Sequence, residues 1–165
     1  MVGPVRTIPW SRASVSAPDP LPAREWLVTN GLGGYASGTV SGAATRRYHG
    51  LLIAALPAPL GRLMVLNHLD ERVRLADGTV AQLDGVERAG RLGISRGASL
   101  VEFRLEAGLP VWRFEIGDVV LEKRIVLLHS QNTTYVTYRL ISGTGTVRLR
   151  LRPSLNMRPH DAPVD

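Results

Sequence analysis

The sequence predicts an all-β, antiparallel fold, a meander closed as a sandwich or a barrel, in one domain of 165 residues. Three observations carry this. Apolar and charged residues alternate with period two through most of the second half, as in half-buried strands. Turn signals such as Gly117-Asp118 and Gly143-Thr144-Gly145 recur at intervals of about ten residues, the rhythm of an antiparallel meander. No segment of useful length shows the 3.6-residue apolar period of a helix.

The first 23 residues, with five prolines and no uninterrupted apolar core, read as a flexible lead-in and not as a secretory signal. Packing of Trp10 is the one contact expected to order them. The domain is expected over residues 24–160, and residues 161–165 as the start of an interdomain linker. Residues 25–29 and 48–56 read as strands, and 62–75 as a longer strand bent or bulged near Asn67. Asp77-Gly78 between Leu75 and Val80 is a hairpin signal. The polar, glycine-containing stretch 85–97 reads as a loop.

Alternation then becomes regular. Val101, Phe103 and Leu105 oppose Glu102, Arg104 and Glu106, and Trp112, Phe114 and Ile116 oppose Val111, Arg113 and Glu115. Residues 119–128 are apolar at both ends around Glu122, Lys123 and Arg124. Residues 132–141 are rich in Thr, Tyr and Val, which suit a pleated surface. In Val147-Arg148-Leu149-Arg150-Leu151-Arg152 the pattern predicts one buried face of Val147, Leu149 and Leu151 and one face of three arginines.

Hydrophobic residues make up 44% and charged residues 21%, ordinary for a globular chain. The absence of cysteine excludes disulfides, thiolate zinc sites and thiol nucleophiles. No apolar run approaches the roughly 20 residues of a membrane-spanning helix. A cytoplasmic location fits both features. The formal charge of +6 raises the question of a nucleic-acid partner. Along the sequence, however, the arginines are dispersed among acids, as in Asp70-Glu71-Arg72, whereas phosphate affinity needs concentrated charge. Neither a nucleic-acid nor a membrane partner is therefore expected.

Residues 25–56 hold the candidate functional groups. Asn30-Gly31-Leu32-Gly33-Gly34-Tyr35 has the glycine density of an anion-cradling loop, but no Walker or Rossmann pattern follows. It is either a tight turn or a backbone kept bare for a sugar or partner domain. In Arg46-Arg47-Tyr48-His49, adjacent residues on a strand would point to opposite faces. One arginine would then lie over a packed face and need a partner such as Glu25, Asp70, Glu71 or Glu115. His49 reads as a hydrogen-bonded structural histidine. The four histidines lack metal-ligand spacing, so neither a metal nor a cofactor is expected. Glycoside hydrolysis needs two carboxylates flanking the scissile bond. Asp70 and Glu71 diverge on a strand, and Glu102, Glu106, Glu115 and Glu122 belong to alternating strands, so no catalytic residue is assigned.

The run Glu25-Trp26-Leu27-Val28-Thr29-Asn30-Gly31-Leu32-Gly33-Gly34-Tyr35-Ala36-Ser37-Gly38-Thr39, followed by Thr45-Arg46-Arg47-Tyr48-His49-Gly50-Leu51-Leu52, resembles the N-terminal domain of prokaryotic-type glycogen debranching enzymes, the amylo-α-1,6-glucosidase family. Leu121-Glu122-Lys123-Arg124-Ile125, Asn132-Thr133-Thr134, Leu151-Arg152-Pro153 and Arg158-Pro159-His160 are similar to later family segments. Ala44 departs from the polar residue expected before Thr45. The resemblance implies a β-supersandwich followed by an (α/α)6 toroid that carries the catalytic acids for hydrolysing α-1,6-linked glucose. It also implies two partners, that toroid and glycogen, starch or maltooligosaccharides. Asn30, Gly33, Gly34, Tyr35, Arg46, Arg47, Tyr48 and His49 would then touch either glucan or the toroid. An autonomous carbohydrate-binding module would need exposed aromatic rings, yet Trp26 and Trp112 sit in apolar strands. A basic nucleic-acid-binding barrel would need more stacking residues than an aromatic content of 5% supplies.

Overall fold

The computed structural model describes residues 5–8, 24–84, 86–88, 91–93 and 98–163, with backbone only for 5–8, 86–88 and 91–93. Every regular element among them is a strand. In chain order these are β1 (Val5–Ile8), β2 (Glu25–Thr29), β3 (Tyr35–Thr39), β4 (Gly50–Ala55), β5 (Arg62–Arg74) and β6 (Val80–Gln82). There follow β7 (Val86–Arg88), β8 (Arg91–Gly93), β9 (Ser99–Glu106), β10 (Leu109–Ile116), β11 (Val119–Leu127), β12 (Thr134–Ser142) and β13 (Arg148–Pro159). No helix of the described residues is long and apolar enough to cross a membrane.

Two antiparallel sheets pack face to face, so the alternatives of sandwich and barrel resolve to a sandwich. The first has the order β1-β9-β10-β11-β12 and the second β13-β5-β4-β3-β2, with β6 on β5. The meander of β9 to β12 follows the alternation directly: each strand ends at a short turn and pairs with the next. The Asp77-Gly78 turn closes the β5–β6 hairpin. There the Asp77 carboxylate accepts from the Thr79 amide at 2.8 Å and from its hydroxyl at 2.9 Å. The expected irregularity near Asn67 is a register shift: Ser154 pairs with His68 but Leu155 with Leu66.

Several expectations need correction. The stretch 85–97 contains the β7–β8 hairpin, because Val86 to Arg88 pairs with Arg91 to Gly93. Within the lead-in, Val5–Ile8 pairs with β9, while Trp10 lies outside the described residues. Along β13 the apolar face is not buried. Leu149 and Leu151 are 36% and 43% exposed, although their cross-strand partners Val73 and Glu71 are buried. The opposite sheet covers β5 but does not reach over β13.

The core is organised around two tryptophans, one per sheet. Trp26 and Trp112 meet edge to face with centroids 5.4 Å apart, and Phe103 packs 5.1 Å from Trp112. Their indole N–H groups are satisfied by backbone carbonyls, Trp26 by Thr39 at 3.1 Å and Trp112 by Val40, across the sandwich, at 2.8 Å. Burying indoles with their donors paired gives the full apolar gain without an orphan polar group.

A charged bridge also spans the sheets. Glu71 of β5, 1% exposed, accepts from Lys123 Nζ of β11 at 2.7 Å and from the Tyr138 hydroxyl of β12. The ammonium also lies 5.5 Å from the Trp112 ring centroid. Burial and the Glu71 charge push the Tyr138 phenol far above its ordinary value, so it keeps its proton and donates it to Glu71. On the outer face of the first sheet, Arg104 bridges Glu102, Glu106 and Glu122, Arg113 meets Glu102, and Arg124 meets Glu106. This network lies over Val111, which is fully buried between its cross-strand partners Arg104 and Arg124.

Removing one member of a buried ion pair strands the other charge. Lys123→Met is therefore expected to destabilise the fold by about 3 kcal/mol in urea unfolding, and adding Glu71→Leu should recover most of that loss. A double variant no more stable than Lys123→Met would contradict the bridge.

Candidate functional site

The glycine block forms the turn between β2 and β3, and its shape depends on Asn30. That side chain is wholly buried. Its Oδ1 accepts from the amides of Leu32 at 2.9 Å and Gly34 at 3.0 Å, folding the turn back on itself. Its Nδ2 donates to the Gln131 carbonyl at 2.9 Å and to Asn132 Oδ1 at 3.1 Å, both on the β11–β12 connection of the opposite sheet. Asn132 in turn clamps Ala55 at the end of β4, accepting from its amide at 3.0 Å and donating to its carbonyl at 2.7 Å. Gly34 is required by close approach: a Cβ there would fall 2.7 Å from Asn30 Nδ2 and 2.9 Å from the Ile53 carbonyl oxygen. Asn30 thus shapes the site from within and presents no atom to a ligand.

The second motif departs from the strand expectation. Residues 46–49 form a turn closed by the His49 amide donating to the Arg46 carbonyl at 3.0 Å, and β4 begins only at Gly50. Both Arg46 and Arg47 are therefore exposed, and neither lies over a packed face. Arg46 Nε donates to Glu25 Oε1 at 3.0 Å, one of the partners considered from the sequence. This hydrogen bond from Arg46 holds the Glu25 carboxyl below its usual range. The pair is solvent-exposed and contributes little to stability.

His49 is only 2% exposed. Its Nδ1 accepts from the Thr45 amide at 3.2 Å, which assigns the ring proton to Nε2, 3.5 Å from Glu25 Oε1. Burial lowers the His49 pKa, against the opposing pull of Glu25.

Tyr35, Arg47 and Tyr48 come together with the C-terminal end of β13. The Tyr35 hydroxyl donates to the Tyr48 carbonyl at 3.3 Å, and Ser37 Oγ donates to the same oxygen at 3.4 Å. The His160 ring meets Tyr35 edge to face at 6.2 Å, and the Arg62 guanidinium lies 6.0 Å from the Tyr35 centroid. Arg62 Nε also donates to the Gly33 carbonyl at 2.7 Å, fixing the glycine turn from the outside. Arg47 Nη1 donates to the Asp161 carbonyl at 3.2 Å, while Arg158 donates to the Arg47 carbonyl at 2.5 Å and to the Ala162 carbonyl at 2.9 Å. Burial raises the Tyr35 pKa, so the phenol stays neutral.

The result is an exposed face with a shallow groove of about 330 Å³ lined by Leu27, Thr29, Gly33, Gly34, Tyr35 and Arg62. Leu27 is 60% exposed and Tyr48 40% exposed. Flat rings, an aliphatic wall and arginine donors are the chemistry that holds a sugar ring or a partner surface. Arg62 and Leu27 were not singled out from the sequence. Arg62 opens an otherwise ordinary strand, and Leu27 shares a face of an alternating segment whose edge position is not readable locally.

Inside the sandwich, a cavity of about 50 Å³ is lined by His49, His68, Glu71, Asp84, Lys123 and neighbouring core residues. It has room for a few waters and none for a glucose ring. Among the described residues, no three His, Asp or Glu side chains are grouped to hold a metal ion.

The buried His49 sets a pH dependence. Its folded pKa lies below the ordinary 6.5, so the unfolded chain takes up the proton first as pH falls, and stability drops below about pH 6.5. Glu25 adds a separate loss only below its own ordinary value of 4.5. NMR titration of the imidazoles is expected to give His49 a midpoint under 6.5, and His49→Gln should flatten the stability profile between neutral pH and that midpoint. A His49 midpoint at or above 6.5 would refute the buried-neutral assignment.

Comparison with known proteins assigns the sequence to a family. The family model described as Glycogen debranching enzyme N terminal matches residues 24–165, from just before β2 to the end of the chain. No curated protein and no solved structure gives a significant match. The match takes in the glycine turn, the Arg46–His49 turn and the end of β13 that together build the exposed face, and the chain belongs to the family of glycogen debranching enzyme N-terminal domains.

Proposed function

We propose that this chain is the non-catalytic N-terminal β-domain of an α-1,6-glucosidase that trims branch points of glycogen or starch, and that its Tyr35–Tyr48 face borders the glucan cleft beside an (α/α)6 catalytic domain. A cytoplasmic location goes with this reading, and the prokaryotic type of the enzyme is part of it. The observation that carries it is the coupling of the two family motifs through the Tyr35 hydroxyl and Tyr48 carbonyl. Together with the antiparallel pairing of β3 and β4, it builds one exposed surface from both motifs.

The division of labour follows from exposure. Tyr35 and Tyr48 offer ring faces, Arg62 and the turn backbone at Gly33 and Gly34 offer polar groups, and the groove admits a glucose-sized ring. Arg46 and Arg47 project from an exposed turn, and on this reading they pin the catalytic domain. Asn30 and His49 act through position, one holding the glycine turn and the other the Arg46–His49 turn. Autonomous high-affinity sugar binding is disfavoured because Trp26 and Trp112, the best stacking platforms, are buried.

Amide NMR titration with linear and branched maltooligosaccharides is the test. Millimolar-range shifts centred on Gly33, Tyr35 and Tyr48, weakened about tenfold by Tyr48→Ala, are expected for a face that supplies part of a larger cleft. Shifts centred elsewhere on the domain would sink the assignment of the cleft to this face.

A further inference from the structure

Asn30 is the one asparagine of four that precedes a glycine. An asparagine so placed is chemically vulnerable, because no side chain on the next residue shields the backbone nitrogen from the carboxamide. The fold needs both residues. Gly31 has φ +79°, and a Cβ there would fall 2.7 Å from His129 Cε1. Asn30 uses its carboxamide four ways, accepting from the amides of Leu32 and Gly34 and donating to Gln131 and Asn132. A vulnerable pair therefore sits at the joint between the sheets. Asn30 is wholly buried, so these contacts are internal to the domain.

We infer that Asn30 is a deamidation site controlled by Asn132, and that loss of its side-chain amide disconnects the glycine turn from the opposite sheet. The Gly31 nitrogen, its proton taken by hydroxide, attacks Asn30 Cγ and a Cγ–N bond forms. The Cγ–Nδ2 bond then breaks, and ammonia leaves with a proton supplied by water. Water opens the resulting cyclic imide at either carbonyl, giving aspartate or isoaspartate. The net change is water taken up and ammonia released.

The same contacts hold this reaction off. Attack needs the carboxamide to turn toward the Gly31 nitrogen, and hydrogen bonds at both of its ends fix its plane. The backbone is held as well: the Asn30 amide donates to the Gly34 carbonyl at 3.1 Å, and the Asn30 carbonyl accepts from the Ser130 amide at 2.6 Å. The two amides on Oδ1 would stabilise the negative charge that builds there during attack. The restraint therefore lies on the Nδ2 side, where both partners of the departing nitrogen, the Gln131 carbonyl and Asn132 Oδ1, are acceptors and supply no proton. After reaction, a carboxylate that can only accept would face those same two oxygens. A buried charge without a donor is costly, so the turn separates from the β11–β12 connection and does not return. This holds whether or not the neighbouring face binds sugar.

The test incubates the chain at mildly alkaline pH and follows replacement of NH2 by OH at each asparagine by peptide mass spectrometry. In urea-unfolded chain, Asn30 should react ahead of Asn67, Asn132 and Asn156. In folded chain it should react at least about a hundredfold more slowly. Asn132→Ala should raise the folded rate about tenfold. Asn132→Asp, which keeps an accepting oxygen, should stay close to the folded wild-type rate. Lys123→Met, which weakens the fold without touching the turn, should also leave that rate unchanged. Equal rates in folded and unfolded wild-type chain would overturn the protection. Equal acceleration by Lys123→Met and Asn132→Ala would assign the reaction to global unfolding, and equal acceleration by Asn132→Asp would remove the accepting oxygen from the account. The modified chain, and Asn30→Asp likewise, should show altered amide NMR shifts at Gly34, Tyr35 and Ala55. Unchanged shifts there would overturn the release of the turn.

Discussion

Two asparagine side chains govern the geometry of this domain's exposed face. Asn30 satisfies both ends of the glycine turn and reaches across to the opposite sheet, where Asn132 passes the connection on to Ala55. Each amide uses donors and acceptors together, which neither an apolar residue nor a carboxylate can do. Because both lie at the junction of the two sheets, the position of Tyr35 is set by the packing of the whole sandwich as well as by the β2–β3 turn.

Charge is distributed by layer. Between the sheets a single lysine and a single glutamate pair beside Trp112, where an unmatched charge would be costly. Over the first sheet, arginines and glutamates alternate across β9, β10 and β11 and neutralise one another, which accounts for the placement of Glu102, Glu106 and Glu122. Over β5 and β13 the same residue type stands nearly unopposed. Among the described residues, register thus gathers Arg74, Arg148, Arg150 and Arg152 on one sheet face with no carboxylate paired to them.

The sequence made the meander readable because β9 and β10 alternate cleanly and the turns that follow them carry Gly108 and Gly117-Asp118, while Ser130-Gln131-Asn132 marks the β11–β12 connection. The bulge at Asn67 and the burial of both tryptophans were legible for the same local reason. Three features were not. The Asn30–Asn132 contact joins residues about a hundred positions apart, and no local pattern encodes it. The Arg46–His49 turn contains neither glycine nor proline and runs straight into an apolar strand, which hides its bend. Along β13, alternation reveals which residues share a face, but whether a second layer covers that face depends on the width of the other sheet.

The most direct test of this account is amide hydrogen exchange on Asn132→Ala. If Asn132 couples the sheets to the site, protection should fall together at Asn30, Gly34, Tyr35 and Ala55, while the β9–β10 and β10–β11 ladders keep theirs. Loss confined to the 128–133 connection, with the glycine turn unaffected, would contradict the claim that the exposed face is held in place across the sandwich.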